Sequence, residues 1–255
     1  MGTDPWSWIV FFIAKSTTRV LLLIYWILFG GILFLILLVL PSEPKIILRK
    51  YFHLVISLMM LLPVLMGEVE LTLVAFSVTL SFFLLVEYAR VVNIPQISQT
   101  LDGFINMYKD NKDSGLLVTT PLYLLVGFAL PLVLRSALGY KDKTSLLMNF
   151  SGLITIGVAD SLSSIFGSLF GTLKWHSRTP KTVQGTIAGF AGTYLINMLL
   201  ILVLGIHDEW LTVIRIPTMT LASAFVCLME AATDQIDNLF LPLFYFTLLN
   251  LSISL

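Results

Sequence analysis

Long apolar runs dominate this chain and constrain what it can fold into. They fall at roughly 17–40, 54–67, 70–92, 116–135, 146–171, 183–205, 216–232 and 239–255. A bilayer crossing takes about 20 apolar residues. Each crossing must be helical, because hydrocarbon offers no partner to an unpaired backbone N–H. The pattern predicts an all-α, polytopic membrane bundle of about seven or eight transmembrane helices, in one domain over residues 1–255. The second and seventh runs are short and read as tilted partners or partly re-entrant segments. Residues 5–14 are apolar but too short to span, and no small-residue cleavage site follows, so no cleaved signal is expected.

Composition agrees. The chain is 57% hydrophobic and 12% charged, whereas soluble domains run near 45–50% and 25%. Its formal net charge of +0 argues against nucleic acid as a partner. The lone Cys227 excludes an intrachain disulfide and reads as a buried thiol.

Eight crossings divide the connecting segments between two sides. One side receives Lys45, Arg49, Lys50, Arg90, Lys109, Lys112, Lys174, Arg178 and Lys181, which is nine cations. The other receives Lys15, Arg19, Arg135, Lys141, Lys143 and Arg215, which is six. The excess points the first side to the cytosol.

Against this background a few polar residues are costly. Asp160 lies halfway along its apolar run, where a carboxylate costs about 2.5–3.5 kcal/mol on insertion scales. It should face the bundle interior, a water-filled cavity or a cation. Asp160, Ser164, Gly167 and Gly171 step by four, three and four, so they share one helical face. That face admits close approach of either a ligand or another helix. Just beyond it come Lys174, Arg178 and Lys181, and then "KTVQGT" (181–186) at a helix start, where an anion is favoured. Lys181 and Thr182 there make a phosphate cradle, though the cations alone would also serve topology.

Three further clusters open onto the same side. "EAATDQIDNLFLPL" (230–243) groups Glu230, Asp234, Asp237 and Asn238, oxygens suited to a hard cation such as Mg²⁺ or to an interfacial polar turn. "LRKYFHL" (48–54) carries Arg49, Lys50 and His53, which read as snorkelling anchors or phosphate contacts. "KDNKDSG" (109–115) places Asp113 before a span, where an ordinary N-cap also fits. Polar clusters gathered on one face of a membrane bundle suggest one site, reachable from the cytosol.

"LRKYFHL", "LVEYARVVNI", "KDSGLLVTTPLYLLVG", "VADSLSSIFGSLFG", "KTVQGT" and "EAATDQIDNLFLPL" stand in the order and approximate spacing of eukaryotic dolichol kinases. The chain resembles the C-terminal part of that family's longer members. "ADSLSSIFGSLFG" and "KTVQGT" are also similar to motifs of other CTP-using membrane enzymes, including phytol kinases and phosphatidate cytidylyltransferases. "TDQIDNLFLPL" favours the dolichol branch. The resemblance implies transfer of the γ-phosphoryl of CTP to dolichol, giving dolichyl phosphate for N-glycosylation and CDP. It implies a divalent cation, an endoplasmic reticulum membrane and a nucleotide site facing the cytosol.

On that resemblance, Asp160 would bind Mg²⁺, with Asp234 or Asp237 helping. Lys174, Lys181, Thr182, Gly185 and Thr186 would hold the nucleotide, with Ser164, Gly167 and Gly171 lining its approach. The catalytic set would be Asp160, Lys181 and Asp234, and either Asp160 or Asp234 could be the base. Two positions depart from the family: Ala159 replaces a common glycine, and Gln184 a common acidic residue. The rival readings are another CTP-using lipid enzyme, a transporter coupled through Asp160, and a non-catalytic scaffold or partial isoform.

Overall fold

The computed structural model describes residues 4–39, 45–94, Ser98, 116–177, 179–233 and 237–254. Its helices are α1 (Pro5–Ala14), α2 (Thr17–Val39), α3 (Lys45–Leu65), α4 (Val69–Val91) and α5 (Thr120–Ala137). A composite helix follows. It runs as a 3-10 helix over Thr144–Phe150, as π-helical turns over Leu153–Asp160, and as an α-helix, α6, over Ser161–Phe170. Then come α7 (Val183–Val203), the single turn α8 (His207–Trp210), α9 (Arg215–Ala232) and α10 (Asp237–Ser254). No strand occurs among the described residues; one isolated bridge joins Lys174 and Thr182.

Each apolar run of the sequence is helical over most of its described length. Among the described residues, four helical segments are long and apolar enough to cross a membrane: Val69–Val91, Thr120–Ala137, Leu153–Phe170 and Val183–Val203. α1 and α2 meet at a bend of 106°, and Lys50–Leu65 and Asn238–Ser254 are shorter apolar helices. Of the seven or eight expected spans, four qualify on these criteria among the described residues, or five if the bent α1–α2 pair is one span. The expected loop at 41–53 also needs correction. α3 begins at Lys45, so Lys50 and His53 lie inside the helix. Hydropathy missed this start because their polarity reads as loop.

The turns follow backbone chemistry. Gly67 has φ 78°, and the N–H of Glu68 reaches back to Pro63 O at 2.9 Å. This left-handed stop ends α3, and glycine adopts it without a Cβ clash. Asn93 (φ 58°) ends α4 the same way, with Ile94 N reaching Ala89 O.

The composite helix is central. Half of the Leu153–Phe170 window is buried, against 11% of Val69–Val91. Phe128, Leu132, Leu147, Ile154, Trp210 and Tyr245 form the core around it. Large apolar side chains such as Phe82, Leu85, Leu195 and Leu202 lie exposed on the outside. Exposed apolar surface on this scale suits contact with lipid. The fold is that of a multi-pass membrane protein.

Successive long helices run in opposite directions, so alternate ends gather. Arg90, near the end of α4, bonds Leu116 O ahead of α5. Lys181, ahead of α7, reaches Thr233 O at the end of α9 at 2.8 Å. The same end holds the start of α3 and the start of α10. The opposite end is tied by Arg19 to Glu68 (2.8 Å) and by Trp210 Nε1 to Thr144 O (2.9 Å).

Candidate active site

Glycine brings α3 onto the composite helix. A Cβ on Gly157 would lie 2.0 Å from Ser57 Oγ, so only glycine permits this approach. One turn further along both helices, His53 and Lys50 meet Asp160. Lys50 Nζ donates to Asp160 Oδ1 at 2.5 Å, and His53 Nδ1 lies 3.0 Å from Oδ2. Lys50, His53 and Asp160 are only 6%, 1% and 4% exposed. A buried carboxylate is tolerated when charge and hydrogen bonds compensate both oxygens. Asp160 therefore faces the interior and a cation, as the sequence requires, and here that cation is the Lys50 ammonium.

A second ion pair lies beside the first. Lys181 Nζ is 3.1 Å from Glu230 Oε1 and also donates to Glu230 O and Thr233 O. A lysine on the last carbonyls of α9 opposes the negative end of the helix dipole. Glu230 is buried and lies within electrostatic reach of Asp160 and Lys50. Two carboxylates, two ammonium groups and one imidazole thus form one cluster at one end of the bundle.

The loop between α6 and α7 folds over this end. Thr182 caps α7, its Oγ1 accepting Gly185 N at 3.2 Å. Val183 N goes to Leu173 O at 2.8 Å. Two of the N–H groups at this helix start are therefore used internally. Trp175 Nε1 donates to Thr186 Oγ1 at 2.8 Å. Gln184 accepts from Leu173 N (3.1 Å) and donates to Thr172 Oγ1 (2.6 Å), stapling the loop to α7. Lys174 is exposed beside Thr182.

The glycines expected to line the nucleotide approach face protein. A Cβ on Gly171 would meet Thr182 Cγ2 at 2.5 Å, and one on Gly185 would meet Ser163 O at 2.4 Å. Gly167 faces Thr182 Oγ1. The close approach at these positions is that of α6 to α7, the helix-packing alternative offered by the sequence. Ser164 is half-buried on α6, while its neighbour Ser163 is the buried serine against Gly189.

Asp113, Asp234 and the side chains of Arg49 and Asp237 lie outside the described residues. The Asn238 carbonyl packs on Gly127, seating the start of α10 against α5. Among the described residues no three His, Cys, Asp or Glu side chains come together as a metal site. The sequence reading passed over Glu87. This buried acid on α4 bonds Arg90 (Nη2–Oε1 2.6 Å) and receives Val118 N at 2.7 Å, fixing the entry to α5. An acid inside an apolar run, three residues before an arginine, was the available signal.

Fold and site together define a polytopic helical membrane protein with a buried charge cluster at one end and a Lys-Thr loop over it. Comparison with known proteins narrows this. The family model described as dolichol kinase matches residues 1–207, and the chain belongs to that family. Human dolichol kinase is 33% identical over 261 residues, covering 96% of this chain and 47% of the human protein. Dolichol kinase EVAN of Arabidopsis thaliana is 31% identical over 254 residues, 96% of this chain and 43% of its own. The Saccharomyces cerevisiae dolichol kinase is 32% identical over 213 residues, 78% and 36% of the two chains. The chain spans about half the length of the curated relatives it matches. No solved structure matches it.

Proposed function

We propose that this chain phosphorylates dolichol, taking the γ-phosphoryl of CTP and releasing dolichyl phosphate and CDP. The observation that carries the reading is the buried Lys50–Asp160–His53 cluster next to Lys181 and Glu230, beneath the "KTVQGT" loop. Phosphoryl transfer asks a protein mainly to position the reactants and neutralise charge. Lys181 and Lys50 are the cations within the cluster, and Lys174 on the exposed loop would meet the nucleotide first.

The attacking lipid hydroxyl must lose its proton. An ionised carboxylate only accepts hydrogen bonds, so His53 places its Nδ1–H toward Asp160 and its lone pair on Nε2. In this arrangement Asp160 orients the imidazole and stabilises the imidazolium, and His53 is the base. The sequence offered Asp160 or Asp234 as the base; on this reading the base is His53, which contacts Asp160.

Mg²⁺ in phosphoryl transfer is held by one or two carboxylates together with the phosphates. Asp160 and Glu230 are the buried carboxylates here that would hold it, with Asp234 and Asp237 as further donors expected from the sequence. The ion would supply neutralisation of phosphate charge.

In the cell we place the long helical segments across the endoplasmic reticulum membrane, in seven or eight crossings, with the cluster facing cytosolic CTP. The product would supply the lipid carrier of N-glycosylation. The test is label transfer from γ-labelled CTP to dolichol by the purified chain in detergent, with ATP as the control donor. Labelled dolichyl phosphate formed from CTP supports the reading. No product from a folded chain, with product restored only by a longer relative's N-terminal half, would assign these residues a partial role.

A further inference from the structure

A cavity of about 440 Å³ lies between α2, α3, α4 and α5, apart from the charge cluster. Its volume falls in the range of about 300–1,000 Å³ usual for small-ligand pockets. Phe52, Ala75, Phe83 and Leu125 are among the residues that line it. The wall makes no polar demand. Thr72 donates its hydroxyl to Glu68 O (2.9 Å), Thr79 donates to Ala75 O (2.8 Å), and Trp26 Nε1 donates to Met59 O (2.8 Å). Each polar side chain of the lining is satisfied within the wall, so the occupant is a hydrocarbon that needs no hydrogen bond.

Position along α3 selects which hydrocarbon. Phe52 lines the cavity, while the next residue, His53, turns to Asp160. One turn of α3 therefore carries the tail wall on one side and the head-group chemistry on the other. The wall also offers aromatic rings and the Met59 and Met60 sulfurs, polarisable surfaces that suit alkene units. We infer that this cavity binds the first few isoprene units of a polyisoprenyl alcohol, placing its hydroxyl at the Lys50–His53–Asp160 end. The remaining tail leaves past α4 into the bilayer, where Val78, Phe82 and Leu85 are exposed. This inference rests on the reading of the chain as acting on dolichol.

The experiment uses the full 255-residue chain in nanodiscs. Two photoreactive alcohols are compared, one polyisoprenyl and one straight-chain, each with a diazirine near the hydroxyl end. Peptides are then mapped by mass spectrometry. The expected result is polyisoprenyl labelling of α3 around Phe52–Met60 and α4 around Thr72–Phe83, competed by dolichol and not by the straight-chain alcohol. Equal labelling by both probes would make the cavity an ordinary acyl-chain site and overturn the inference. Polyisoprenyl-specific labelling elsewhere would overturn the cavity alone and leave the dolichol reading standing. No polyisoprenyl-specific labelling anywhere would overturn both. Ala75→Trp, which fills the cavity, should raise KM for the long isoprenol at least tenfold and leave KM for CTP unchanged. Ala75→Leu should show the same split more weakly. An unchanged isoprenol KM in Ala75→Trp would also overturn the inference.

Discussion

Lys50 and Asp160 are 110 residues apart in sequence, yet Nζ and Oδ1 are 2.5 Å apart in a nearly solvent-free interior. That contact fastens α3 to the central composite helix, and His53 shares the same carboxylate. Breaking one half of a buried pair costs about 3–5 kcal/mol, because the other charge is left uncompensated. Lys50→Met should therefore lower Tm clearly. Adding Asp160→Leu should recover most of that Tm without restoring turnover. Thermal melts in detergent, run beside the transfer assay, separate the two effects. Recovery of turnover in the double variant would remove the pair from the chemistry.

Asp160→Asn keeps the shape but loses the charge. It should abolish turnover while membrane insertion and yield stay normal. Near-normal turnover would sink both the metal assignment and the orienting role.

If His53 takes the proton, His53→Gln should lower kcat by about 10²–10⁴, the usual contribution of general acid–base catalysis. KM for CTP should move little. The kcat–pH profile should also lose its acid limb. A purely structural His53 would lower yield and Tm and leave the profile of the surviving enzyme unchanged.

The helices were legible in the sequence because hydrophobicity is local. Every apolar run is helical over most of its length, and the most displaced boundary, the start of α3, was hidden by residues that are polar but paired. Helical periodicity grouped Asp160, Ser164, Gly167 and Gly171 on one face, but Asp160 closes the π-helical turns and Gly171 lies past α6 in extended backbone. What these residues meet was not legible: Asp160 meets α3, and the glycines meet Thr182 and α7. Periodicity orients a side chain but does not name its partner. The Lys50–Asp160 and Lys181–Glu230 pairs join segments far apart in the chain, so spacing alone could not reveal them.

The glycine seam makes its own prediction. A Cβ on Gly171 would sit 2.2 Å from Gly167 O and 2.5 Å from Thr182 Cγ2. Gly171→Ala should cost about 1–3 kcal/mol through overpacking and should unseat the Thr182 cap. Lower Tm and a raised KM for CTP would follow together. Gly30→Ala, at a position with open space around it, is the matched control and should leave both unchanged. A normal Tm and KM in Gly171→Ala would show that the loop tolerates separation from α6.

The family resemblance leads to an acid expected at position 184, and the contacts of Gln184 say what the exchange would do. The amide accepts from Leu173 N and donates to Thr172 Oγ1, so it fastens the loop from both ends. A glutamate would keep the first bond, and the Thr172 hydroxyl could rotate to donate the second. Gln184→Glu should therefore retain or raise turnover, with KM for CTP within about tenfold, since a hydrogen bond is worth about 0.5–1.5 kcal/mol and about 1.4 kcal/mol is tenfold. Gln184→Ala removes both bonds and should raise KM for CTP with little effect on kcat. A clear loss in Gln184→Glu would mean that the donated N–H, and not the staple as a whole, holds the loop in its working shape. Steady-state kinetics on the two variants, side by side, distinguishes these outcomes.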